Sequence, residues 1–305
     1  MAGTMLSGAL MKRAAVVVNP VKLTDREAFR ESVRRSMDDH GWDEPLWMET
    51  TPEDPGRGQA QSAVTDGADV VLACGGDGTV AACAEALAGT GTPMAIIPMG
   101  TGNLLARNLG LPLGLDDALE VALAGPQRPI DAGRVNGRLF VVMAGLGLDA
   151  RMLDGTNDTL KKRLGWFAYA ISAVRHMRDR PMQVTVSADG GPGHRMRAGA
   201  VIVGNVGRLR GGLPLLPDAR PDDGQLDAVV LIAGGLAGWP AVIADIALRR
   251  PARSRIHRVR GTGLEVTLDL EQPWELDGEV MGTTRRLSAE AQPACLLIRM
   301  APESA

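Results

Sequence analysis

The sequence predicts an α/β N-terminal domain, with a doubly wound and mostly parallel sheet, followed by a β-rich antiparallel C-terminal domain. Three observations predict it. Strand-like and helix-like segments alternate through the first half of the chain. Past about residue 130 the pattern becomes short strand-like runs separated by Gly, Pro and Asp turns. The length of 305 residues fits about two domains of roughly 150 residues each. The expected limits are 13–130 for the α/β domain and 131–292 for the β-rich domain, with the chain end 293–301 returning to the first.

Each element has its own signal. Ala14–Val18 is an apolar strand run. Thr24-Asp25-Arg26-Glu27 reads as a capping box, with Phe29, Val33 and Met37 recurring every fourth residue behind it and Gly41 ending the helix. Leu46–Glu49 is strand-like and Gln59–Thr65 helical; Val70–Cys74 and Met94–Ile97 are strands, and Val80–Ala88 and Asn103–Asn108 helices. Ile130–Val135 and Leu139–Ala144 flank Asn136-Gly137, the pair that a type I′ hairpin turn favours. A long helix is expected in Thr159–Met177, then strands at Gln183–Ser187, Ala200–Val203, Leu226–Ile232, Leu264–Leu270 and Cys295–Met300.

Composition narrows the function. The chain is 45% hydrophobic, with net charge −3, so it is neither disordered throughout nor a general nucleic-acid binder. Its three cysteines, Cys74, Cys83 and Cys295, fit neither a zinc site nor a disulfide framework and point to a reducing compartment. The four histidines form no metal motif. Lys12 and Arg13 follow the mildly apolar start rather than precede it, which is the wrong order for a signal peptide. Ala2 excludes N-myristoylation. The apolar stretch Ala228–Leu248 is interrupted by Gly234-Gly235, Gly238, Pro240 and Asp245, and so reads as strand, turn and helix rather than a membrane span.

Of 38 glycines, several fall in loops between a strand and a helix. Cys74-Gly75-Gly76-Asp77-Gly78-Thr79 is one such loop, where backbone N–H groups and a helix dipole gather around an anion; Thr79 is placed to cap the helix. Pro98-Met99-Gly100-Thr101-Gly102-Asn103 is another, and Asn19-Pro20 follows the first strand. In a doubly wound sheet all three lie beyond the carboxyl ends of strands, where ligands bind. No Gly-Lys-Ser/Thr is present, which excludes a Walker-A loop. Gly76-x-Gly78-x-x-Ala81 and Gly145-x-Gly147-x-x-Ala150 match the Rossmann spacing but lack its ribose-binding acid about 20 residues on.

These motifs, with Gly145-Leu146-Gly147-Leu148-Asp149-Ala150 and Leu276-Asp277-Gly278-Glu279 after them, resemble the diacylglycerol kinase catalytic-domain family in its soluble bacterial lipid kinase branch. The resemblance spans about residues 13 to 301. It implies a two-domain lipid kinase fold, with an ATP cleft between the domains, and transfer of the γ-phosphoryl group of ATP to a lipid hydroxyl, a diacylglycerol-like acceptor first. ATP would be held by Asn19, Gly75, Gly76, Asp77, Gly78, Thr79, Thr101 and Thr51, although Pro52–Gly58 follows Thr51 where the family's next motif comes sooner. The catalytic acids would be Asp77, Asp277 and Glu279; Glu279 or Asp277 is the general base. A structural Mg²⁺ would sit on Asp223 and the carbonyls of Arg220 and Gln225. Partners would be a lipid at a membrane surface and no nucleic acid, with room for a homodimer. The enzyme would be cytoplasmic and peripheral to the membrane, in phospholipid metabolism.

Two features bear on the lipid. Arg249, Arg250, Arg253, Arg255, Arg258 and Arg260 could attract anionic headgroups or guard a strand edge. Leu160, Leu164, Phe167, Ile171 and Val174 could face an acyl chain or the core. The alternatives are an NAD kinase-like or other nucleotide-binding enzyme, and a non-catalytic nucleotide or lipid sensor on the same fold.

Overall fold

The computed structural model describes residues 12–147, 182–209, 212–232, 238–248 and 254–302. The expected helix at Thr159–Met177, with its apolar stripe, lies outside them, as do Asp149, Ala150, Gly234-Gly235, Arg249, Arg250 and Arg253. The chain divides into two compact units. Unit 1 comprises residues up to Gly100, Leu111–Arg128 and the chain end from Leu297. Unit 2 comprises Thr101–Gly110 and Pro129–Leu296.

Unit 1 is a parallel α/β layer structure. Its strands are β1 (Ala14–Val18), β2 (Leu46–Glu49), β3 (Val70–Gly75) and β4 (Met94–Pro98), in the order β2-β1-β3-β4, all parallel. The helices are α1 (Arg26–Asp39), α2 (Arg57–Thr65), α3 (Asp77–Leu87) and α5 (Leu115–Ala124); the short α4 (Leu104–Asn108) belongs to unit 2. Strand side chains alternate between faces. Ala14, Val16, Val18, Val70, Leu72 and Cys74 pack with Phe29, Val33 and Met37 of α1 and Leu119 and Leu123 of α5. Val17 faces the other way, toward Gly56 and Cys83, where α2 packs on α3. Both faces are covered, so β1 and β3 are apolar at every position. The cap of α1 differs from expectation. Asp25, not Thr24, is the N-cap, because its carboxylate accepts the Ala28 N–H at 3.0 Å.

Unit 2 is antiparallel. β7 (Met143–Leu146) lies between β10 (Ala200–Gly204) and β13 (Gly263–Leu276); β11 (Leu226–Leu231) and β12 (Ile256–Gly261) continue beyond β10, and β14 (Glu279–Arg299) lies beyond β13. β8 (Met182–Ala188) pairs with β13 and with β9 (His194–Ala198); β5 (Gln127–Val135) pairs with β14 and β6 (Arg138–Phe140). The β5–β6 turn is the expected one, with Asn136 at φ 48° and Gly137 at φ 86°. Phe140, Leu146, Val201, Leu226, Val266 and Leu287 anchor the core. The Ala228–Leu248 stretch is β11 and then α6 (Trp239–Ala247), with Asp245 buried against Arg255. No helix among the described residues is long and apolar enough to cross a membrane.

Candidate active site

In unit 1, register brings the loops together. Val18 pairs with Cys74 and with Glu49, and Cys74 pairs with Ile97, so the strands end on one row. The Asn19 N–H donates to the Cys74 carbonyl at 2.9 Å, and the Met99 N–H to the Gly75 carbonyl at 2.8 Å. Gly76 is the N-cap of α3 with no side-chain cap, and Asp77 is its first residue, half-buried. The N–H groups of that first turn have no partner within the helix and give the loop its pull on an anion.

Gly75 serves closeness rather than twist. Gly76 sits at φ −91°, within reach of any residue, and a Cβ on it would meet the Gly100 Cα at 3.5 Å, an ordinary contact. A Cβ on Gly75 would lie 2.6 Å from Thr79 Cβ and Oγ1. Thr79 therefore does not cap the helix; it is buried in its first turn, folded against Gly75. The Asn19 side chain accepts the Val21 N–H at 3.1 Å and shapes its own loop. Thr51 is exposed and closes a turn with Asp54: its Oγ1 accepts the Asp54 N–H at 3.1 Å. Asp54 then accepts N–H bonds from Gly56 and Gly58, starting α2.

In unit 2, Thr101 is exposed and Asn103 is the N-cap of α4 in the left-handed region, at φ 48°. The hairpin between β13 and β14 turns on Asp277 (φ 48°) and Gly278 (φ 92°). Asp277 Oδ2 accepts the Val141 N–H, and Oδ1 accepts those of Val142 and Met143, each at 2.9 Å. Three donors hold this carboxylate. Glu279 leaves the same turn exposed to solvent.

The loop expected to hold a metal is braced on two sides. Asp131, buried, accepts the Gly224 N–H and the Ala294 N–H, each at 2.7 Å, and donates its own N–H to the Pro221 carbonyl. Arg260 stands opposite Asp227 in the β11–β12 ladder and bonds its carboxylate at 3.2 Å, the Asp218 carbonyl, and Asp223 Oδ2 at 3.3 Å. Burial pushes Asp227 above the usual carboxylate range, with the Arg260 bonds pulling it down. Asp223 Oδ1 accepts the Gln225 N–H at 3.1 Å, and the Arg220 side chain turns to Asp222. An all-oxygen donor set suits Mg²⁺. A metal there would share Asp223 with Arg260.

Sequence reasoning missed Asp131 and Asn205, and it placed Arg260 in the arginine cluster without its carboxylate partners. Asn205 is buried and donates to the carbonyls of Asp131 and Val141, so it links the loop brace to the strip that holds Asp277. Asp131 carried a legible signal: an acid beside Ile130 and Ala132 in the expected strand Ile130–Val135. Arg260 was hidden in the arginine cluster. Of the three cluster members described, Arg255 and Arg260 are committed to carboxylates and Arg258 is exposed.

Fold and motifs define the class: a two-unit fold shared by diacylglycerol kinases and NAD kinases. Residues 13–135 match the diacylglycerol kinase catalytic domain, and residues 141–300 the YegS C-terminal NAD kinase beta sandwich-like domain. The chain belongs to this diacylglycerol kinase family, as its motifs indicated. It is 30% identical to a "Diacylglycerol kinase" of Bacillus subtilis (strain 168), over 89% of this chain and 91% of that one. It is 31% identical to a "Probable lipid kinase YegS-like" of Pseudomonas fluorescens, over 88% and 92%. A diacylglycerol kinase crystal structure from Bacillus anthracis str. Sterne superposes with a TM-score of 0.75 at 21% identity, covering 96% of this chain and 98% of that one. An NAD kinase from Archaeoglobus fulgidus in complex with ATP superposes with a TM-score of 0.53 at 15% identity, over 94% and 93%. Both structural likenesses speak to fold. Membership in a kinase family implies use of ATP.

Proposed function

We propose that the chain is an ATP-dependent lipid kinase, acting at a membrane surface on a diacylglycerol-like acceptor. The observation that carries the reading is the Gly75–Thr79 loop: it opens α3 at the carboxyl end of β3 with Gly76 packed on Gly100, in a chain of this family. The amides of the α3 first turn attract phosphate oxygens, and Asn19 and Thr101 add polar groups to the same task. The lipid hydroxyl oxygen attacks the γ-phosphorus as the bond to the ADP oxygen breaks, and Glu279 takes the hydroxyl proton. Asp277, with three N–H donors on its carboxylate, holds the turn that presents Glu279. Asp77, the first residue of α3 within the phosphate loop, would be a ligand for the nucleotide's cation. Bound Mg²⁺ would neutralise phosphate charge, and Asp223 with the carbonyls of Arg220 and Gln225 would hold a second, structural ion.

The test is transfer of label from ATP with Mg²⁺ to a panel holding diacylglycerol, monoacylglycerol, a sphingoid base, a polyprenol and NAD. Label in a lipid is expected. Label in NAD alone would replace the reading with an NAD kinase, and ATP binding without any transfer would replace it with a sensor.

A further inference from the structure

Unit 2 carries a recess of about 460 Å³, lined by Arg107, Asn108, Leu109, Arg208, Leu216 and Pro217 among others. Among the described residues no carboxylate lines it, although the chain as a whole has a net charge of −3. Both arginines are exposed; the Arg107 side chain and the Arg208 backbone are held by their surroundings. The Asn108 side chain grips the backbone of Arg208 from both sides: its Oδ1 accepts the Arg208 N–H at 2.9 Å, and its Nδ2 donates to the Arg208 carbonyl at 2.9 Å. The same Nδ2 also donates to the Leu104 carbonyl, which ties the grip to α4. Arg107 donates from Nε to the Gly102 carbonyl at 2.9 Å, which aims its guanidinium and leaves the terminal nitrogens for a ligand. Neither arginine is ion-paired with a described residue.

Two guanidinium forks with no competing acid suit tetrahedral oxyanions, which they bind in a bidentate fashion. Leu109 and Pro217 add a small apolar area beside the anion in a recess whose surface is mostly polar. We propose that this recess is a binding site for a phosphate-bearing ligand, a phosphomonoester or phosphodiester, supplied by a phospholipid headgroup or by free organic phosphate. It uses no residue given a role in phosphoryl transfer, and it stands or falls independently of the kinase reading.

Binding, not activity, is the readout. The full chain is tested by flotation with vesicles of phosphatidylcholine alone or mixed with phosphatidylglycerol, and by calorimetry with inorganic phosphate and glycerol 3-phosphate. Arg208→Gln leaves the Asn108 grip intact, because that grip runs to the backbone. The charge-matched control is Arg35→Gln, on an exposed face of α1. Arg208→Gln should weaken binding by about tenfold, the effect of losing a charged hydrogen bond, and Arg35→Gln should not. Arg208→Lys, which keeps the charge but not the fork, should fall between wild type and Arg208→Gln and covers the case in which Arg208→Gln fails to fold. Response to the mixed vesicles alone assigns a lipid headgroup, and response to the soluble phosphates alone assigns a free ligand; either supports the site. No binding of any phosphate probe by the wild type, or equal weakening by the Arg35 and Arg208 variants, overturns it.

Discussion

Asp277 and Glu279 stand one glycine apart, yet their surroundings differ. The Asp277 carboxylate is committed to the N–H groups of Val141, Val142 and Met143. Asp277→Asn turns an amide N–H₂ toward those donors and should lower stability by about 2 kcal/mol, read as a lower midpoint in urea. Glu279 is exposed, so Glu279→Gln should melt with the wild type while phosphoryl transfer falls by about 100-fold, the usual scale of general-base loss. Wild-type turnover in Glu279→Gln would take that residue out of the mechanism. The cysteines separate by burial in the same way. Cys83 is fully buried and its thiol is pushed up to about 12, and Cys74 is raised as well, with burial the main cause in both. Cys295 is part-exposed and less strongly shifted. A thiol reagent at about pH 8 should therefore label Cys295 first and leave Cys74 and Cys83 unmodified in the folded protein, as read by mass spectrometry.

At the scale of elements, turns are held by acids that accept backbone N–H bonds. Asp54 does this for α2 through Gly56 and Gly58, and the Asp54→Ala variant should lose about 1 kcal/mol as any lost helix cap does. Asp189 does it where β8 turns toward β9, at φ 50°, accepting the Gly263 N–H and the Thr262 hydroxyl. Those bonds favour the charged form and hold its carboxyl below the ordinary value of 3.8. The unfolded chain then binds more protons than the folded one as pH falls through this range. The contribution of Asp189 is therefore complete above the unfolded value and fades as pH drops through the lower folded value. Asp189→Asn suits the left-handed backbone and removes only the titration. The stability gap between wild type and Asp189→Asn should be constant above about pH 5 and close toward pH 2. A gap that widens on acidification would contradict this assignment.

Over the whole molecule, what could be read from sequence depended on how far apart interacting residues lie. β1 and β3 were legible because strands covered on both faces are apolar throughout, and the glycine loops because few other residues allow such approach. The capping of α1 was misplaced by one residue, since Thr24 and Asp25 are both good caps. β13 and β14 were read as short because their middle stretch is exposed and irregular near Gln272-Pro273. Asp131 joins partners 93 and 163 residues away, a pairing no local pattern reveals. The chain end shows the same long reach, and its last strand residues complete unit 1. Ile298, fully buried, pairs with Met94; Arg299 donates to the Gly125 carbonyl at 2.6 Å, and the Met300 N–H to the Pro126 carbonyl at 2.9 Å. Burying an isoleucine contributes about 2 kcal/mol and each hydrogen bond about 1 kcal/mol, so removing residues 297–305 takes away about 4 kcal/mol. That is a large part of what a domain has. The truncated chain should lose the protection of β1, β3 and β4 amides in hydrogen exchange while β10 and β11 keep theirs. Equal loss across both sets would mean that the units do not unfold separately, and full protection of β4 would mean that the chain end contributes nothing to unit 1.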